Sequence, residues 1–492
     1  MNGPVLPPPT ADFSSRPLAE PYAPQLRTAL ILTGTGTAGA YHAGVLRALH
    51  EAAVKIDIVG GNGVGVVGAL FAAVDGAQRL WDEKGFWRSP AVRGLYPWRR
   101  MVQVAVGAVV TAIAIVCVPV GAIALGLVVY PIDFVAKMVG IGQHGVQGGA
   151  QGTGGGLVDA YLAFTQSAFS AEGLPTWLPR LAVLVLGVVA LIAFVSGWVG
   201  ALRRRVHGPF WWRAVRAPLS SAEATAHTWR AMWDLVRGAA LLKQPPPVEL
   251  GRRYMELVGE NIGQPGFREL VLVVHDLDAR RDLTFALVAE ARRRGLVRRA
   301  TIEAAEERRA EVFDLAGVAR DYLADIVGGA LASPLICEPH AVSFAPDAYW
   351  RGETHRICDR PGSFGRVLQE LVELGAQQII VVSAVPGPVG PHTLTPPRID
   401  GRGRFGEYLQ SAEAAMVRDV VRLAAGAPVK MFVIRPAHNP LGPFDFAGGF
   451  DDRSDRPQPL DELISQGYED AYRQFIEPVV GASGEHVGAG GV

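Results

Sequence analysis

Along most of the chain, short runs of apolar residues alternate with longer amphipathic stretches. The runs are close to continuous: Ala29-Leu30-Ile31-Leu32, Ile56-Asp57-Ile58-Val59, Glu269-Leu270-Val271-Leu272-Val273-Val274, Gln377 to Val382 and Val429 to Ile434. A strand that is apolar on both faces must be covered on both faces, so the pattern predicts a mostly parallel sheet between two layers of helices. Helical spacing is expected over Ala40 to Ala53, Val66 to Val74, Ser220 to Leu242, Arg280 to Arg309 and Arg320 to Leu331. The predicted class is therefore α/β, in three layers.

Two stretches do not fit that scheme. Met101 to Ile132 and Leu181 to Leu202 contain no Asp, Glu, Lys, Arg or His. A bilayer core needs roughly 20 apolar residues, so the second stretch has the length of one span. At ~1.5 Å per residue the first would run to about 48 Å, and a span tilted or kinked near Pro119, with one end in the interface, is expected. Trp98-Arg99-Arg100 precedes the first stretch and Arg203-Arg204-Arg205 follows the second. As a hairpin, these basic clusters would share one side, which the positive-inside rule places in the cytoplasm. The alternative, two buried core helices, must bury over 20 residues in a row without a charge. The predicted organisation is a flexible Pro-rich leader at 1–26, a first domain part at 27–98, a two-helix transmembrane hairpin inserted at 99–205 (spans about 101–132 and 181–202), the rest of the domain at 206–480, and a flexible tail at 481–492. The leader lacks the apolar core of a secretory signal.

Composition narrows the classes further. The chain has 492 residues, 49% of them hydrophobic, with 47 basic and 47 acidic side chains. Mean hydropathy is +0.20. A cancelled charge gives no basic field for nucleic acid. Cys117, Cys337 and Cys358 show no CxxC pairing, so no thiolate zinc site is expected, and buried, reduced cysteines are.

The candidate chemistry lies at two glycine-rich turns. Gly34-Thr35-Gly36-Thr37-Ala38-Gly39 follows the first apolar run and leads into a helix. Gly61-Asn62-Gly63-Val64-Gly65 follows the second and does the same. Strand, sharp turn and helix is the scaffold of a nucleophile elbow, where G-x-S-x-G exposes a serine hydroxyl. Here the middle residue is Gly63, which has no side chain. G-x-G-x-x-G after a strand is also a dinucleotide fingerprint, but that site wants an acid at the end of the second strand. This strand ends in Gly60-Gly61, with Asp57 inside it.

The run Leu30-Ile31-Leu32-Thr33-Gly34-Thr35-Gly36-Thr37-Ala38-Gly39-Ala40-Tyr41-His42-Ala43-Gly44-Val45-Leu46, followed by Gly61 to Gly65, resembles the patatin-like phospholipases. The resemblance covers roughly residues 27 to 95 and 265 to 480. It implies a patatin-like three-layer domain. It implies that the amides of the first turn, Gly34, Gly36, Thr37, Ala38 and Gly39, form an oxyanion hole, and that the elbow is built on Gly61, Asn62 and Gly65. The family's third element is an Asp-Gly-Gly or Asp-Gly-Ala turn that supplies the base of a Ser-Asp dyad. Cys358-Asp359-Arg360-Pro361 falls at that place and makes Asp359 the dyad position. Ala332-Ser333-Pro334-Leu335-Ile336 resembles the segment before it. The resemblance implies lipid as the partner and no cofactor or metal.

Three departures converge on one site: Gly63 for the serine, Ala38 for the basic residue of the first turn, and Arg360-Pro361 for the two glycines. A dyad needs a hydroxyl whose proton the base can take. The expected function is a membrane-anchored, lipid-binding protein of hydrolase type that has lost its nucleophile. An active lipid ester hydrolase with an atypical nucleophile and a non-enzymatic membrane scaffold are the alternatives. Thr35 and Thr37 belong to the first turn and would point from the wrong loop. His42 reads as a helix residue, His275 with Asp276 and Asp278 as surface loop residues, and nothing near Ser333 or Cys337 suggests activation.

Overall fold

A computed structural model describes residues 21–481, except 140–156, 169, 171–173, 204–216, 239, 241, 299–300, 391–397, 399, 425–427 and 452. The first 20 residues of the expected leader, the glycine-rich segment around 145–156, Arg204-Arg205 and the tail from 482 lie outside the described residues. Of residues 21–26, Tyr22 is anchored in the core. Tyr22 is buried edge-on against Phe475, with ring centroids 5.9 Å apart, and its hydroxyl donates to the Lys55 carbonyl at 3.0 Å.

The chain divides into two compact units, Trp98–Pro218 and the residues on either side of that segment. The larger unit is built on a sheet of nine strands among the described residues. They are β1 (Thr28–Thr33), β2 (Ile58–Asn62), β3 (Glu269–Asp276), β4 (Arg281–Leu287), β5 (Val312–Asp314), β6 (His340–Ser343), β7 (Thr354–Cys358), β8 (Gln378–Ser383) and β9 (Lys430–Ile434). The main order is β5-β4-β3-β2-β1-β8-β9. The pairs β1–β2, β1–β8, β2–β3, β8–β9 and β4–β5 are parallel. β7 runs antiparallel to the end of β3 and carries β6 on its other edge.

The continuous apolar runs fill two cores, one on each face. Leu30, Leu32, Leu270, Leu272, Ile380 and Val382 point into one core. Their neighbours Ala29, Ile31, Val271, Val273, Ile379 and Val381 point into the other. This is the period of two expected of a strand with no wet face. Helix Ala38–Glu51 packs in the first core, and helix Ser363–Glu373, through Phe364, Val367 and Leu371, in the second.

One element differs in type from the sequence expectation. The charged stretch Arg280 to Arg309, predicted helical throughout, opens with strand β4. A turn at Asp278-Ala279-Arg280, in which Asp276 Oδ1 accepts the amides of Asp278 and Ala279, folds β4 back onto β3. Leu283, Phe285 and Leu287 alternate into the core, a period-two signal masked by the charges around it. Helices Glu290–Val297 and Ile302–Glu311 follow.

In the second unit, helix Arg100–Met138 continues through Pro119 for 39 residues, where a span tilted or kinked near Pro119 is expected. It packs against helix Leu174–Arg203 and against helix Leu157–Ala168, whose Tyr161 hydroxyl donates to the Ala122 carbonyl at 2.8 Å. Among the described residues one window, Gly121–Met138, is long and apolar enough to cross a membrane. The second helix yields a shorter apolar stretch, Arg180–Val195, so among the described residues a second full span is not supported. The window also includes Asp133 and Lys137, paired at 2.7 Å, beyond the end of the predicted span. No disulfide joins the cysteines; Cys337 and Cys358 are buried, but Cys117 is exposed on the long helix.

Candidate functional site

β1 and β2 lie side by side and in parallel, so their C-terminal turns meet above the sheet. Each turn passes into a helix, Ala38–Glu51 or Gly65–Ala73. The turns are bonded to each other, the Val64 amide donating to the Gly34 carbonyl at 2.9 Å. Asp359 arrives from β7, its amide donating to the Ala332 carbonyl at 3.0 Å. Three segments far apart in sequence thus converge on one point.

That point is the direction of the missing side chain. Gly63 has φ +56°, the left-handed conformation that glycine adopts most easily. A Cβ there would lie 2.3 Å from the Gly34 carbonyl oxygen and 2.8 and 2.9 Å from the two carboxyl oxygens of Asp359. The elbow position therefore faces Asp359 directly, but the carboxyl has moved into the space a side chain would need.

Asp359 does meet a hydroxyl, from the first turn. Thr35 Oγ1 donates to Asp359 Oδ2 at 2.6 Å, while Asp359 Oδ1 is buried with no hydrogen-bond partner among the described residues. Thr35 thus brings a hydroxyl to Asp359, and does so from the first turn, not from the elbow. Burial pushes Asp359 up to about 7, and the bonds from Thr35 and the Arg360 backbone pull the other way without cancelling it. A second buried acid, Glu413 on helix Gly401–Ala424, stands beside the same turn. Its carboxyl oxygens lie 3.5 Å from where a Cβ on Gly34 would be. Burial also pushes Glu413 up to about 7. The hydrogen bond from Ser383 Oγ, at 2.6 Å, opposes the rise, and the nearby Asp359 adds to it. Sequence reasoning did not find Glu413 or Ser383, because no spacing relates them to the turns.

Three amides of the first turn, those of Thr37, Ala38 and Gly39, are occupied. The Thr37 amide donates to the Pro443 carbonyl at 2.9 Å, and Thr37 Oγ1 donates to the Gly442 carbonyl at 2.8 Å. The Ala38 and Gly39 amides turn back to Thr35 and Gly36, at 3.3 and 3.2 Å. Pro443 comes so close that a Cβ on Gly36 would sit 1.8 Å from its oxygen. Little space remains. One cavity of about 10 Å³ touches Thr35, Thr37, Ala38 and Glu413, and another of about 10 Å³ touches Gly36, Val64 and Tyr96. Each is about the size of a single water site. A larger cavity of about 910 Å³, walled by Phe313, Tyr322 and Trp350, includes none of the turn residues.

The other candidates have structural partners. His42 is fully buried, held down to about 4 by that burial, with Nε2 on the Thr33 carbonyl at 2.9 Å. His275 is half-buried and pairs across the β3–β4 hairpin with Asp282 at 2.8 Å. Asp276 is buried and pairs with His355, and Asp278 binds Arg356. Arg360 reaches away to Asp282 at 3.0 Å. Asn62 and Ser333 are buried, and among the described residues Asn62 Oδ1 and Ser333 Oγ find no hydrogen-bond partner. Among the described residues no group of three His, Cys, Asp or Glu side chains could hold a metal ion.

Comparison with known proteins supports the family resemblance at these turns. The family model "Patatin-like phospholipase" matches residues 30–110. "Patatin-like phospholipase domain-containing protein 6" of Mus musculus and of Homo sapiens are each 41% identical to this chain over 70 residues, 14% of this chain and 5% of theirs. "Patatin-like phospholipase domain-containing protein ZK370.4" of Caenorhabditis elegans is 52% identical over 44 residues, 9% of this chain and 3% of its own. The match therefore spans 5% or less of the length of these relatives. The crystal structure of VipD from Legionella pneumophila aligns with 92% of this chain and 67% of its own, at 12% identity and a TM-score of 0.29, too low to carry an argument. Both glycine turns fall inside the matched segment, and Asp359 falls outside it.

Proposed function

We propose that this chain is a membrane-anchored, patatin-like protein that binds lipid acyl groups without hydrolysing them. The observation that carries the reading is the elbow itself: Gly63 offers no nucleophile, and the Asp359 carboxyl lies where a side chain would project. The Thr37 amide bound to the Pro443 carbonyl adds to it, since an oxyanion would have to displace that oxygen. The membrane part of the reading rests on Trp98–Pro218. Its helices carry large apolar side chains in the open, among them Leu127 at 74% and Val183 at 69% exposure, which water alone disfavours.

Phospholipid and ester hydrolysis by the full chain in detergent tests this. The expected rate is background, for the native chain and for Gly63→Ser alike, because a serine Cβ would meet the Gly34 carbonyl and Asp359. Turnover that both Thr35→Ala and Asp359→Ala abolish would overturn it in favour of an atypical hydrolase. The 2.6 Å contact between Thr35 and Asp359 is what gives that second reading its substance. Flotation of the full chain with phospholipid vesicles tests the anchor: the protein is expected in the floating fraction, and recovery at the bottom of the gradient would refute it. A non-enzymatic scaffold without a lipid pocket predicts that no acyl lipid co-purifies, which mass spectrometry reads directly.

A further inference from the structure

The first turn is filled by the chain's own backbone, and the way that backbone is held has a consequence. Residues 439–446 cross the turn without joining the sheet. Pro443 and Gly442 offer their carbonyls to Thr37, as an acyl carbonyl would be offered. Apart from these bonds, the segment is clamped from the side by Arg398 and Arg402. Both pair with Asp445, at 3.1 and 2.6 Å, and they donate to the Pro440 and Phe444 carbonyls respectively. Asp445 also accepts the Gly442 amide at 2.8 Å, so one carboxylate ties the clamp to the residue on the turn. Beneath it, Leu441, Phe444 and Phe446 are buried, the two Phe rings against Tyr96 with centroids 5.5 and 5.4 Å apart.

We propose that residues 439–446 form an intrasteric lid: the Pro443 carbonyl occupies the carbonyl-binding amide of Thr37, and the lid must lift for a lipid acyl group to reach it. The inference rests on the lipid-binding reading above. Lifting frees the Thr37 amide and the surface of Gly36 together. It also exposes Leu441, Phe444 and Phe446. Water opposes that exposure, and an acyl chain or a bilayer surface compensates it. The lid is thus closed in water and opens against lipid. The occupancy of the site is set by a competition between an internal peptide carbonyl and an external ester or carboxyl group.

Asp445→Ala removes the anchor of the clamp without touching the turn, and Arg398→Ala with Arg402→Ala removes it from the other side. Hydrogen–deuterium exchange of the full chain in detergent reads the lid independently of any ligand. Both variants are expected to speed exchange about tenfold in peptides covering 34–41 and 439–446 while leaving β8, 378–383, at the native rate. Binding of a pyrene-labelled fatty acid is expected to tighten by a similar factor, since affinity scales with the population that is open. The lid is overturned if 439–446 loosens without 34–41, or if β8 loosens equally, which is unfolding. Local opening without binding of the probe in any variant would leave the lid standing and sink the lipid reading.

Discussion

The two glycine turns stand side by side at the ends of paired strands, yet they have diverged in opposite ways. The first, Gly34 to Gly39, keeps a usable donor in the Thr37 amide and has gained an occupant, the Pro443 carbonyl. The second, Gly61 to Gly65, has no side chain at its centre, and the Asp359 carboxyl lies where one would project. One turn is covered by a separate segment of the chain, which the lid proposal allows to move away. The other is blocked by the absence of an atom. On the proposed reading, one hydrogen-bonded pair of loops is closed reversibly at its amide side and lacks a nucleophile at its elbow side.

Substitution of the two central glycines separates these cases. At Gly36, with φ +60°, a Cβ would lie 1.8 Å from the Pro443 oxygen and 2.8 Å from its carbonyl carbon. Gly36→Ala is expected to cost about 4 kcal/mol, summing a left-handed alanine and a backbone collision. Displacing residues 439–446 relieves the collision, so the cost is capped by the cost of opening them. Gly63→Ala is expected to cost less, about 3 kcal/mol, because part of the obstruction is the Asp359 side chain rather than backbone. Thermal unfolding in detergent measures both. If Gly63→Ala were the more damaging, the first turn would not be the tighter of the two. Combining each with Asp445→Ala sharpens the contrast: the loosened segment should blunt Gly36→Ala and leave Gly63→Ala unchanged.

Much of the scaffold was legible in the sequence, because burial on both faces writes itself as a continuous apolar run. β1, β2, β3, β8 and β9 lie where those runs predict them, within a few residues. β4 was hidden, since Arg281 and Asp282 sit among the charges of a predicted helix, and the alternation of Leu283, Phe285 and Leu287 covers only five residues. The long apolar helix was found, but its bounds were not. A window without charges stops at Ile132, whereas the helix passes on through Asp133 and Lys137, which neutralise one another. At the site, the resemblance named Gly63 and Asp359, and the structure brings them face to face. It could not give Thr35 a partner 324 residues away, or Thr37 one 405 residues away. Those contacts come from the sheet order, and no local period encodes them.

The two buried acids give the pair of turns a pH dependence. Asp359 and Glu413 both sit near 7 in the folded chain, against ordinary values of 3.8 and 4.5. The folded state therefore holds protons that the unfolded state has already released. Their contribution to stability is complete below about pH 4 and is lost as pH rises through about 7. The native chain is expected to lose on the order of 2 kcal/mol between pH 5 and pH 8 from these groups, given relaxation around each charge. Asp359→Asn with Glu413→Gln, which keeps shape and removes the titration, should flatten that slope. An equally steep slope in the double variant would show that other groups set it.

Thr35→Val should have the smallest effect, and the most diagnostic one. The Thr35 hydroxyl donates to Asp359 Oδ2 at 2.6 Å and favours the charged carboxyl, lowering its pKa. Valine keeps the volume and removes the donor. Asp359 is then pushed further up, and above its pKa a buried carboxylate is left with less support. The cost is expected to be about 1–2 kcal/mol at pH 8 and close to nothing at pH 5, where the acid is protonated in either chain. Denaturation midpoints at the two pH values read the difference. A pH-independent cost would mean that Thr35 only fills space, and the likeness of this pair to a working dyad would be one of position without proton linkage.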